Sequence, residues 1–196
     1  MKRAIITFIK NPRLGKVKTR LANDLGKHEA LRIYLKLLEN TRSVVEPLKA
    51  KKFLFYSDEV THSDMWSSKI FDKHVQRGND LGSRLQHATD LVFNKSFSKV
   101  LIIGSDCPDL STEILQKAYR ILDKKDIVIG PANDGGYYLI GMKSLHSQLF
   151  DLTEWSTATV FKETIHKIQQ QELSWSELPT LIDIDTMEDF KMTNLK

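Results

Sequence analysis

The sequence predicts an α/β domain, a three-layer α/β/α sandwich built on a mostly parallel sheet. Segments with the composition of strands alternate with segments of helical periodicity, as a parallel sheet with crossover helices requires. The apolar run at 100–104 ends in glycine and is typical of a buried parallel strand. Polar motifs follow several of the predicted strands, and sheets of this kind bind their ligands at the carboxyl ends of the strands.

Strands are predicted where a short apolar run is bounded by polar or glycine-containing turns. The first of them, 3–9, is almost wholly apolar, and the one at 137–142 follows an Asp-Gly-Gly turn typical of a hairpin. In chain order the predicted strands are 3–9, 52–57, 73–77, 100–104, 127–129, 137–142 and a last one near 180–184.

Helices are predicted where apolar residues recur at helical spacing. The clearest is 27–46, whose apolar stripe includes Ile33 and Leu37. The helix at 80–93 has Asp80 at its start, a residue type that favours the N-cap position. The remaining predicted helices are 111–123, 157–171 and 186–195.

Length and composition predict one domain over residues 1–196. The chain has 196 residues, of which 41% are hydrophobic and 28% charged, enough for one complete core. Its single cysteine, Cys107, excludes an internal disulfide and fits the reducing cytoplasm. No apolar run approaches the roughly 20 residues that a membrane-spanning helix needs. We therefore expect a soluble cytoplasmic protein without a membrane partner.

Charge is distributed unevenly along the chain. Residues 1–56 hold 14 Lys and Arg against 4 Asp and Glu, whereas the whole chain has a net charge of only +4. A basic first third and an acidic remainder suit a polyphosphate ligand held by cations at one end and by a metal at the other. Nucleic acid is the alternative partner, but aromatic residues are not interleaved with the cations as base stacking requires. We predict no nucleic-acid partner.

The loop after the first predicted strand carries five cations and no anion, together with Pro12 and Gly15. Such a loop can place backbone N–H groups and cations around phosphates. It is not a P-loop, because Gly15-Lys16 is followed by valine instead of serine or threonine. The alternative is a solvated basic loop. The five cations are Lys10, Arg13, Lys16, Lys18 and Arg20.

Acidic residues follow two other predicted strands. Asp106 comes directly after 100–104, where a carboxylate is costly unless a cation meets it, and Mg²⁺ or Mn²⁺ bound to phosphate is a suitable cation. The alternative for Asp106 is a loop carboxylate that caps backbone N–H groups. Asp183 and Asp185 lie two residues apart and share one face if the strand near 180–184 persists. We assign Asp183 to metal or phosphate binding and Asp185 chiefly to capping the helix that follows, with Glu188 three positions later.

Two glycine-containing segments each have a structural and a functional interpretation. Asp134-Gly135-Gly136 is a hairpin turn signal, and its functional interpretation is that Asp134 accepts hydrogen bonds from ligand hydroxyls. Gly78 and Arg84 flank the start of the helix at 80–93 and could contact a base or a phosphate. A plain capped helix start is the interpretation that we favour there.

These motifs, taken together and in order, resemble those of the bacterial "transferase 1, radical-SAM/selenodomain-associated" family, long catalogued as a domain of unknown function. That family belongs to the nucleotide-diphospho-sugar transferase superfamily with the GT-A fold. The motifs that carry the resemblance are Lys18-Thr-Arg20-Leu, Gly78-x-Asp80-Leu-Gly82-x-Arg84, Gly104-Ser-Asp106-x-Pro108, Pro131-Ala-x-Asp134-Gly-Gly-Tyr-Tyr, Trp155-Ser-Thr and Asp183-Ile-Asp185-Thr.

The resemblance implies a GT-A α/β/α sandwich with a nucleotide-binding loop at 10–20. Lys18 and Arg20 would then face phosphates, Asp106 would hold a divalent metal, and Asp183 or Asp185 would be a second metal ligand. The Asp134-Gly-Gly segment would face the acceptor or the sugar.

The function that follows is a hypothesis with alternatives from different classes. The first is a metal-dependent transferase with a nucleotide or nucleotide-sugar donor and a small-molecule acceptor, in the manner of a glycosyltransferase. There Lys18 and a Mg²⁺ or Mn²⁺ on Asp106 would stabilise the phosphates, and an acid such as Asp134 or Glu154 could act as the base. One alternative is a nucleotidyltransferase that moves a nucleoside monophosphate from a triphosphate to a small phosphorylated acceptor. Another is a non-catalytic nucleotide-binding module.

Overall fold

The computed structural model describes residues 2–152 and 154–195, and a single sheet lies at its centre. The strands are β1 (Arg3–Ile9), β2 (Lys51–Tyr56), β3 (Phe71–Val75), β4 (Lys99–Ile103), β5 (Ile127–Pro131), β6 (Tyr137–Met142) and β7 (Trp175–Glu177). Across the sheet their order is β3-β2-β1-β4-β6-β5-β7. β6 runs antiparallel to β4 and to β5, and the other neighbouring pairs are parallel. The predicted mostly parallel sheet is confirmed.

Helices cover both faces of this sheet. The described helices are α1 (Thr19–Leu25), α2 (Lys27–Val45), α3 (Leu81–Phe93), α4 (Thr112–Ile121), α5 (Val160–Gln170) and α6 (Met187–Met192), with a short 3₁₀ helix at Ser147–Phe150. The apolar residues of α1, α2, α4 and α6 belong to one core cluster, and those of α3, α5 and the 3₁₀ helix belong to another. None of these helices is both long enough and apolar enough to cross a membrane.

β1 separates the two cores because successive side chains of a strand point to opposite faces. Ile5 and Ile9 pack in the core beneath α2, whereas Ile6 and Phe8 pack in the core beneath α3. Both clusters are almost fully buried, which confirms the predicted three-layer α/β/α sandwich. β1 is an inner strand, with β2 and β4 on either side of it. Its carboxyl end therefore lies among the loops that follow the neighbouring parallel strands.

The last predicted strand is wrong. The structure places β7 at Trp175–Glu177, and the chain near 180–184 contributes only an isolated bridge between Ala132 and Leu181. Pro179 lies between these two segments and has no N–H to continue the ladder. Asp183 and Asp185 are therefore not on a strand, and strand alternation does not place their side chains on one face.

The sequence also missed α1, which follows the basic loop and is separated from α2 only by Gly26. Its N-cap residue is Lys18, which has left-handed backbone angles and makes no side-chain capping bond. Without a Ser, Thr, Asp or Asn at that position, the start of α1 has no capping signal. The third strand is also shifted, from the predicted 73–77 to Phe71–Val75.

The hairpin turn between β5 and β6 packs tightly against the segment before α5. Gly135 has a φ of +89°, which side-chain-bearing residues rarely adopt, and its carbonyl accepts a hydrogen bond from the Phe161 N–H at 2.9 Å. A Cβ at Gly135 would lie only 2.6 Å from the Cα of Ala158. The turn therefore requires glycine here, both for its backbone angles and for its close approach to Ala158.

We expect Gly135→Ala to lower the free energy of unfolding by about 2–4 kcal/mol, the sum of left-handed strain and overpacking. Urea denaturation of the variant and of the wild type measures this difference. Gly136→Ala is the matched control, because the nearest atom to its added Cβ is the Asp134 Oδ1 at 3.2 Å and its φ is not left-handed. Equal losses in the two variants would contradict the packing argument.

Candidate functional site

A cavity of about 530 Å³ opens at the carboxyl ends of β1 and β4. Its lining includes charged residues and apolar residues from β1, β4, β6 and α3. The loop after β1, the loop after β4, the β5–β6 turn and the segment before α6 all reach it, as the parallel strands predict. Seven of the predicted site residues line this cavity: Lys10, Lys18, Arg20, Asp106, Asp134, Asp183 and Asp185.

The basic loop is held in place by buried side chains. The buried Asn11 donates from its amide nitrogen to the Glu59 carbonyl at 2.9 Å and accepts from the Asp58 N–H at 3.0 Å. The Tyr34 hydroxyl accepts from the Lys10 N–H at 2.8 Å. These bonds join the loop after β1 to the loop after β2 and to α2, so the first residues of the basic loop have a fixed course.

Lys18 lies at the centre of the site. Its side chain is only 5% exposed, and its Nζ is 2.8 Å from Asp106 Oδ1 and 3.5 Å from Asp185 Oδ1. Burial lowers the pKa of Lys18, but the carboxylates of Asp106, Asp185 and Asp183 outweigh burial and raise it above the ordinary value. The ammonium therefore stays charged, and its position is fixed by two carboxylates from distant parts of the chain.

The two carboxylates that meet Lys18 remain open to the cavity. The Asp106 side chain is 43% exposed and the Asp185 side chain 51% exposed. The exposed Arg20 also reaches Asp185, with its Nη1 at 3.4 Å from Oδ2. Two cations and two carboxylates thus form one alternating cluster at the cavity wall.

The predicted capping role of Asp185 is wrong. Thr186 is the N-cap of α6, and its hydroxyl accepts from the Asp189 N–H while Asp189 Oδ2 accepts from the Thr186 N–H at 2.8 Å. This capping box lies one residue later than predicted, because a Thr with an acidic residue three positions on satisfies the same rule. Asp185 is left to pair with Lys18 and Arg20.

Asp183 is held at the edge of the cluster by Cys107 and Asn133. The buried Cys107 thiol donates to Asp183 Oδ1, and the Asp183 N–H donates to Asn133 Oδ1 at 3.2 Å. Burial, with the carboxylates of Asp106 and Asp134, raises the pKa of Asp183 to about 7, although the Cys107 thiol opposes the shift. Asp183 therefore changes its charge near neutral pH in the free protein.

The side chain of Asp134 is exposed and stabilises the β5–β6 turn to which it belongs. Its Oδ1 accepts from the Gly136 N–H at 2.8 Å, as the hairpin interpretation predicts. The same residue lines the cavity, and its hydrogen bonds to ligand hydroxyls stay a prediction. Its side chain is placed by the turn and remains accessible to a ligand.

Gly15, Gly78 and Arg84 are not among the described residues that line the cavity. A Cβ at Gly15 would meet the side chain of Lys27, so this glycine lies close to α2. Arg84 Nε donates to the Gly78 carbonyl at 3.0 Å, and Asp80 caps α3 by accepting from the Ser83 N–H at 2.7 Å. This arrangement is the capped helix start that the sequence favours.

The sequence did not single out three residues that shape the cavity: Asn11, Tyr34 and Gln76. Gln76 follows β3 and lines the cavity, and its side-chain nitrogen donates to the carbonyls of Ile9 and Phe55. An Asn-Pro pair is a turn signal that could have indicated Asn11. Tyr34 reads as an ordinary core residue of a helical stripe, and Gln76 as an ordinary strand end, because their partners lie far away in sequence.

The carboxylates of the cavity supply part of what a divalent metal requires. Among residues 2–152 and 154–195, no group of three His, Cys, Asp or Glu side chains could hold a metal ion by itself. Mg²⁺ commonly takes one or two protein carboxylates and completes its shell with water and substrate phosphates. Asp106, Asp183 and Asp185 line one cavity and provide hard oxygen donors, so they fit a metal that is bound together with a phosphate ligand.

The fold is like that of a putative nucleotide-diphospho-sugar transferase, and one family model matches more than half of this chain. The profile of the family DUF2064, described as "Uncharacterized protein conserved in bacteria", matches residues 40–157. A solved structure from Desulfovibrio desulfuricans G20, described as a "putative nucleotide-diphospho-sugar transferase", is 34% identical. The match covers 98% of this chain and 86% of that chain with a TM-score of 0.90. The chain belongs to the DUF2064 family.

More distant structures share the fold alone. A 4-diphosphocytidyl-2C-methyl-D-erythritol synthase from Anaerococcus prevotii DSM 20548 has 14% identity and a TM-score of 0.62, covering 97% of this chain and 93% of that one. Rv0371c from Mycobacterium tuberculosis H37Rv, in a complex with manganese, has 13% identity and a TM-score of 0.56, covering 98% and 97%. A comparison with curated proteins found no match. The solved structures named above confirm the predicted GT-A-like fold.

The raised pKa of Asp183 predicts a pH-dependent stability. The unfolded aspartate loses its proton near pH 4, whereas the folded one keeps it to about pH 7, so stability falls as the pH rises between these values. We expect Asp183→Asn, which is neutral throughout, to be more stable than the wild type at pH 8 by about 1–3 kcal/mol. The difference should vanish near pH 4, as measured by urea denaturation in a chelator-containing buffer.

Asp109→Asn is the control for that experiment, because Asp109 is an exposed carboxylate of the same loop region as Asp106. Its substitution should leave the pH profile of stability unchanged. A difference in the free energy of unfolding between Asp183→Asn and the wild type that does not change with pH would contradict the raised pKa of Asp183.

Proposed function

We propose that residues 1–196 form one transferase domain that uses a nucleotide or nucleotide-sugar donor and a small-molecule acceptor, with Mg²⁺ or Mn²⁺. One observation carries the proposal: a single cavity joins Lys18 and Arg20 to the carboxylates of Asp106 and Asp185 at the carboxyl edge of the sheet. Alternating fixed charges of this kind suit a ligand that brings phosphates and a metal together. Two of the solved structures named above, the putative nucleotide-diphospho-sugar transferase and the 4-diphosphocytidyl-2C-methyl-D-erythritol synthase, support the same class of donor.

The cations would bind the phosphates. Lys18 has three N–H donors and directs two of them at Asp106 and Asp185, which leaves one for a phosphate oxygen. Arg20 is exposed beside it and can add a charge-assisted bond from its guanidinium. Lys10 lines the same cavity from the start of the basic loop. Gly15, Gly78 and Arg84 would act indirectly, by shaping the basic loop and the start of α3.

The carboxylates would hold the metal. Asp106, Asp183 and Asp185 are the candidates, because all three line the cavity and Asp106 and Asp185 are open to it. When bound, the metal would neutralise charge that develops on the phosphates during transfer. The protein's own residues fix the approach: Lys18 keeps the carboxylates of Asp106 and Asp185 at one place, and Cys107 holds Asp183.

Glycosyl transfer is the first form of the reaction. The sugar would leave the nucleoside diphosphate, whose departing charge Lys18 and Arg20 would stabilise. Asp134 is exposed on the cavity wall and is oriented by its own turn, so it can accept the proton of an acceptor hydroxyl. Nucleotidyl transfer is the second form, and the basic loop with its five cations favours it, since a triphosphate carries more charge. There an acceptor oxygen would attack the α-phosphorus and pyrophosphate would leave.

The first experiment is a thermal-shift screen of the wild type and Asp106→Asn with nucleoside triphosphates and nucleotide-sugars, each with and without Mn²⁺. A ligand at 100 times its Kd adds about 2.7 kcal/mol of stability, so binding is readily measured. We expect a metal-dependent shift in the wild type that Asp106→Asn loses. Release of a nucleoside diphosphate or of pyrophosphate, followed with the preferred donor, then distinguishes the two reactions. A metal-independent shift of equal size in both proteins without turnover would identify a non-catalytic nucleotide-binding module.

Arg20 provides a test of the phosphate-binding assignment alone. We expect Arg20→Met to weaken the binding of tripolyphosphate about 10- to 100-fold, since a charge-assisted bond contributes about 1.5–3 kcal/mol. Arg13→Met is the matched control: Arg13 is another exposed arginine of the basic loop, but it pairs with Glu59 at 2.7 Å and is absent from the described cavity lining. Isothermal titration measures both, and equal losses would indicate a diffuse basic surface instead of a site.

A further inference from the structure

A second cavity, of about 320 Å³, is lined by the start of α3, the 3₁₀ helix and the segment that follows that helix. Its volume is at the small end of the range for ligand cavities, about 300–1,000 Å³, so it has room for one ring. Trp155 lines this second cavity and also the main cavity, which holds Lys18. The two cavities are therefore neighbours that share one residue of their walls.

The walls of the second cavity are fixed by contacts within the protein. At the start of α3, Asp80 accepts from the Ser83 N–H at 2.7 Å and its own N–H donates to the Ser83 hydroxyl at 3.2 Å. A Cβ at Gly82 would lie 2.3 Å from the Phe150 carbonyl oxygen and 2.5 Å from Trp155 Nε1, so α3 packs directly on both residues. The second cavity is thus already formed without a ligand.

Several polar side chains of the second cavity have no partner inside the protein. Gln86, Gln148 and Asp151 line it, and their side chains make no hydrogen bond or ion pair with another described residue. The amides offer donors and acceptors, and the carboxylate offers acceptors. Leu152 and Trp155 add apolar surface to the same lining. A sugar or another polyol ring carries hydroxyls on its edge and C–H groups on its faces, and it matches this mixture.

The charge of the second cavity is opposite to what a phosphate needs. Of the described residues that line it, two are aspartates and none is Lys, Arg or His. The main cavity, in contrast, includes Lys18 and Arg20. An anionic group is therefore attracted to the main cavity and repelled from the second one, whereas a hydroxyl or an ammonium group is accepted there.

A short packed segment connects the second cavity to Asp134. The two residues that follow Trp155 line the main cavity, and Ala158 then packs against Gly135, the neighbour of Asp134 in the β5–β6 turn. Trp155 and Asp134 both line the main cavity. A ligand that occupies the second cavity and passes Trp155 therefore enters the cavity that contains the proposed base.

We propose that the second cavity binds the acceptor, a neutral or amine-bearing polyhydroxylated ring, and that a hydroxyl of this ring extends past Trp155 toward Asp134. The proposal rests on the proposed function, because it names the class of acceptor for the same transferase. Gln86, Gln148 and Asp151 then determine specificity by contacting the acceptor. A hydroxyl acceptor without phosphate favours glycosyl transfer over transfer to a phosphorylated molecule.

The test uses three probes that share one ring and differ in charge: glucose, glucosamine and glucose 6-phosphate. Isotope-labelled protein is titrated with each probe and followed by NMR, with and without saturating tripolyphosphate and Mg²⁺ to occupy the main cavity. We expect glucose and glucosamine to shift the side-chain amide signals of Gln86 and Gln148 in both conditions. With tripolyphosphate present, glucose 6-phosphate should bind about fivefold or more weakly than glucosamine, because its charge has the same sign as that of the aspartates.

Two variants of exposed residues test the contacts. Gln86→Ala should weaken glucose and glucosamine about three- to tenfold, since it removes a hydrogen-bonding amide. Asp151→Asn should weaken glucosamine about two- to fivefold, as expected for an exposed ion pair, and leave glucose unchanged. Gln116→Ala and Asp24→Asn are the matched controls, because they change exposed residues of α4 and α1, which pack in the other core cluster.

The outcomes separate the inference from the proposed function. A wild type that binds tripolyphosphate with Mg²⁺ but none of the three probes overturns the inference and leaves the proposed function standing. Glucose 6-phosphate that binds as tightly as glucosamine, or variants that keep the wild-type affinities, also overturn the inference. Displacement of glucose by tripolyphosphate does so too, because the ring would then lie in the main cavity.

Failure of the wild type to bind tripolyphosphate with Mg²⁺ overturns the proposed function itself. Simultaneous binding of tripolyphosphate and glucosamine supports the inference when Gln86→Ala and Asp151→Asn weaken glucosamine and the two control variants do not.

Discussion

The buried ammonium of Lys18 is the interaction on which the site depends. A charged lysine with 5% of its side chain exposed is tolerable only because Asp106 and Asp185 meet it, and the same contact keeps two carboxylates close together. The left-handed backbone of Lys18 turns the chain from the basic loop into α1, so the residue also fixes the course of the main chain. Lys18 thus fixes both the positions of two carboxylates and the start of α1.

The sheet topology explains why so many polar segments reach that lysine. β1 and β4 are parallel neighbours, so the loops that follow them leave the sheet at one edge and bring Lys18 to Asp106. β6 runs the other way between β4 and β5, and the turn that precedes it therefore lies at the same edge and presents Asp134. The close packing of Gly135 on Ala158 then joins this turn to the segment before α5. The antiparallel strand β6 thus adds an acidic side chain to a site whose other loops follow parallel strands.

Much of this arrangement could be predicted from the sequence, because strand ends and motifs are local features. Lys18, Asp106 and Asp134 each follow or precede an apolar run that indicates a strand, and parallel pairing brings such ends together. The failures have physical causes. Pro179 breaks the last ladder, so Asp183 and Asp185 are placed by tertiary contacts such as the Cys107 thiol and not by strand alternation. The amide of Gln76 meets a carbonyl that is 67 residues away, and no local pattern encodes that contact.

The uneven charge of the sequence acquires a specific meaning in the structure. Cations of the basic loop pair with acidic residues that come later in the chain: Arg13 with Glu59, Lys18 with Asp106, and Arg20 with Asp185. The surplus that suggested a polyanion is therefore partly neutralised inside the molecule, which weakens the case for an extended nucleic-acid surface. What remains is a compact cluster in which each cation already has a carboxylate beside it. A ligand that carries phosphates together with a metal matches both signs of charge in this cluster, whereas a bare polyanion matches only one.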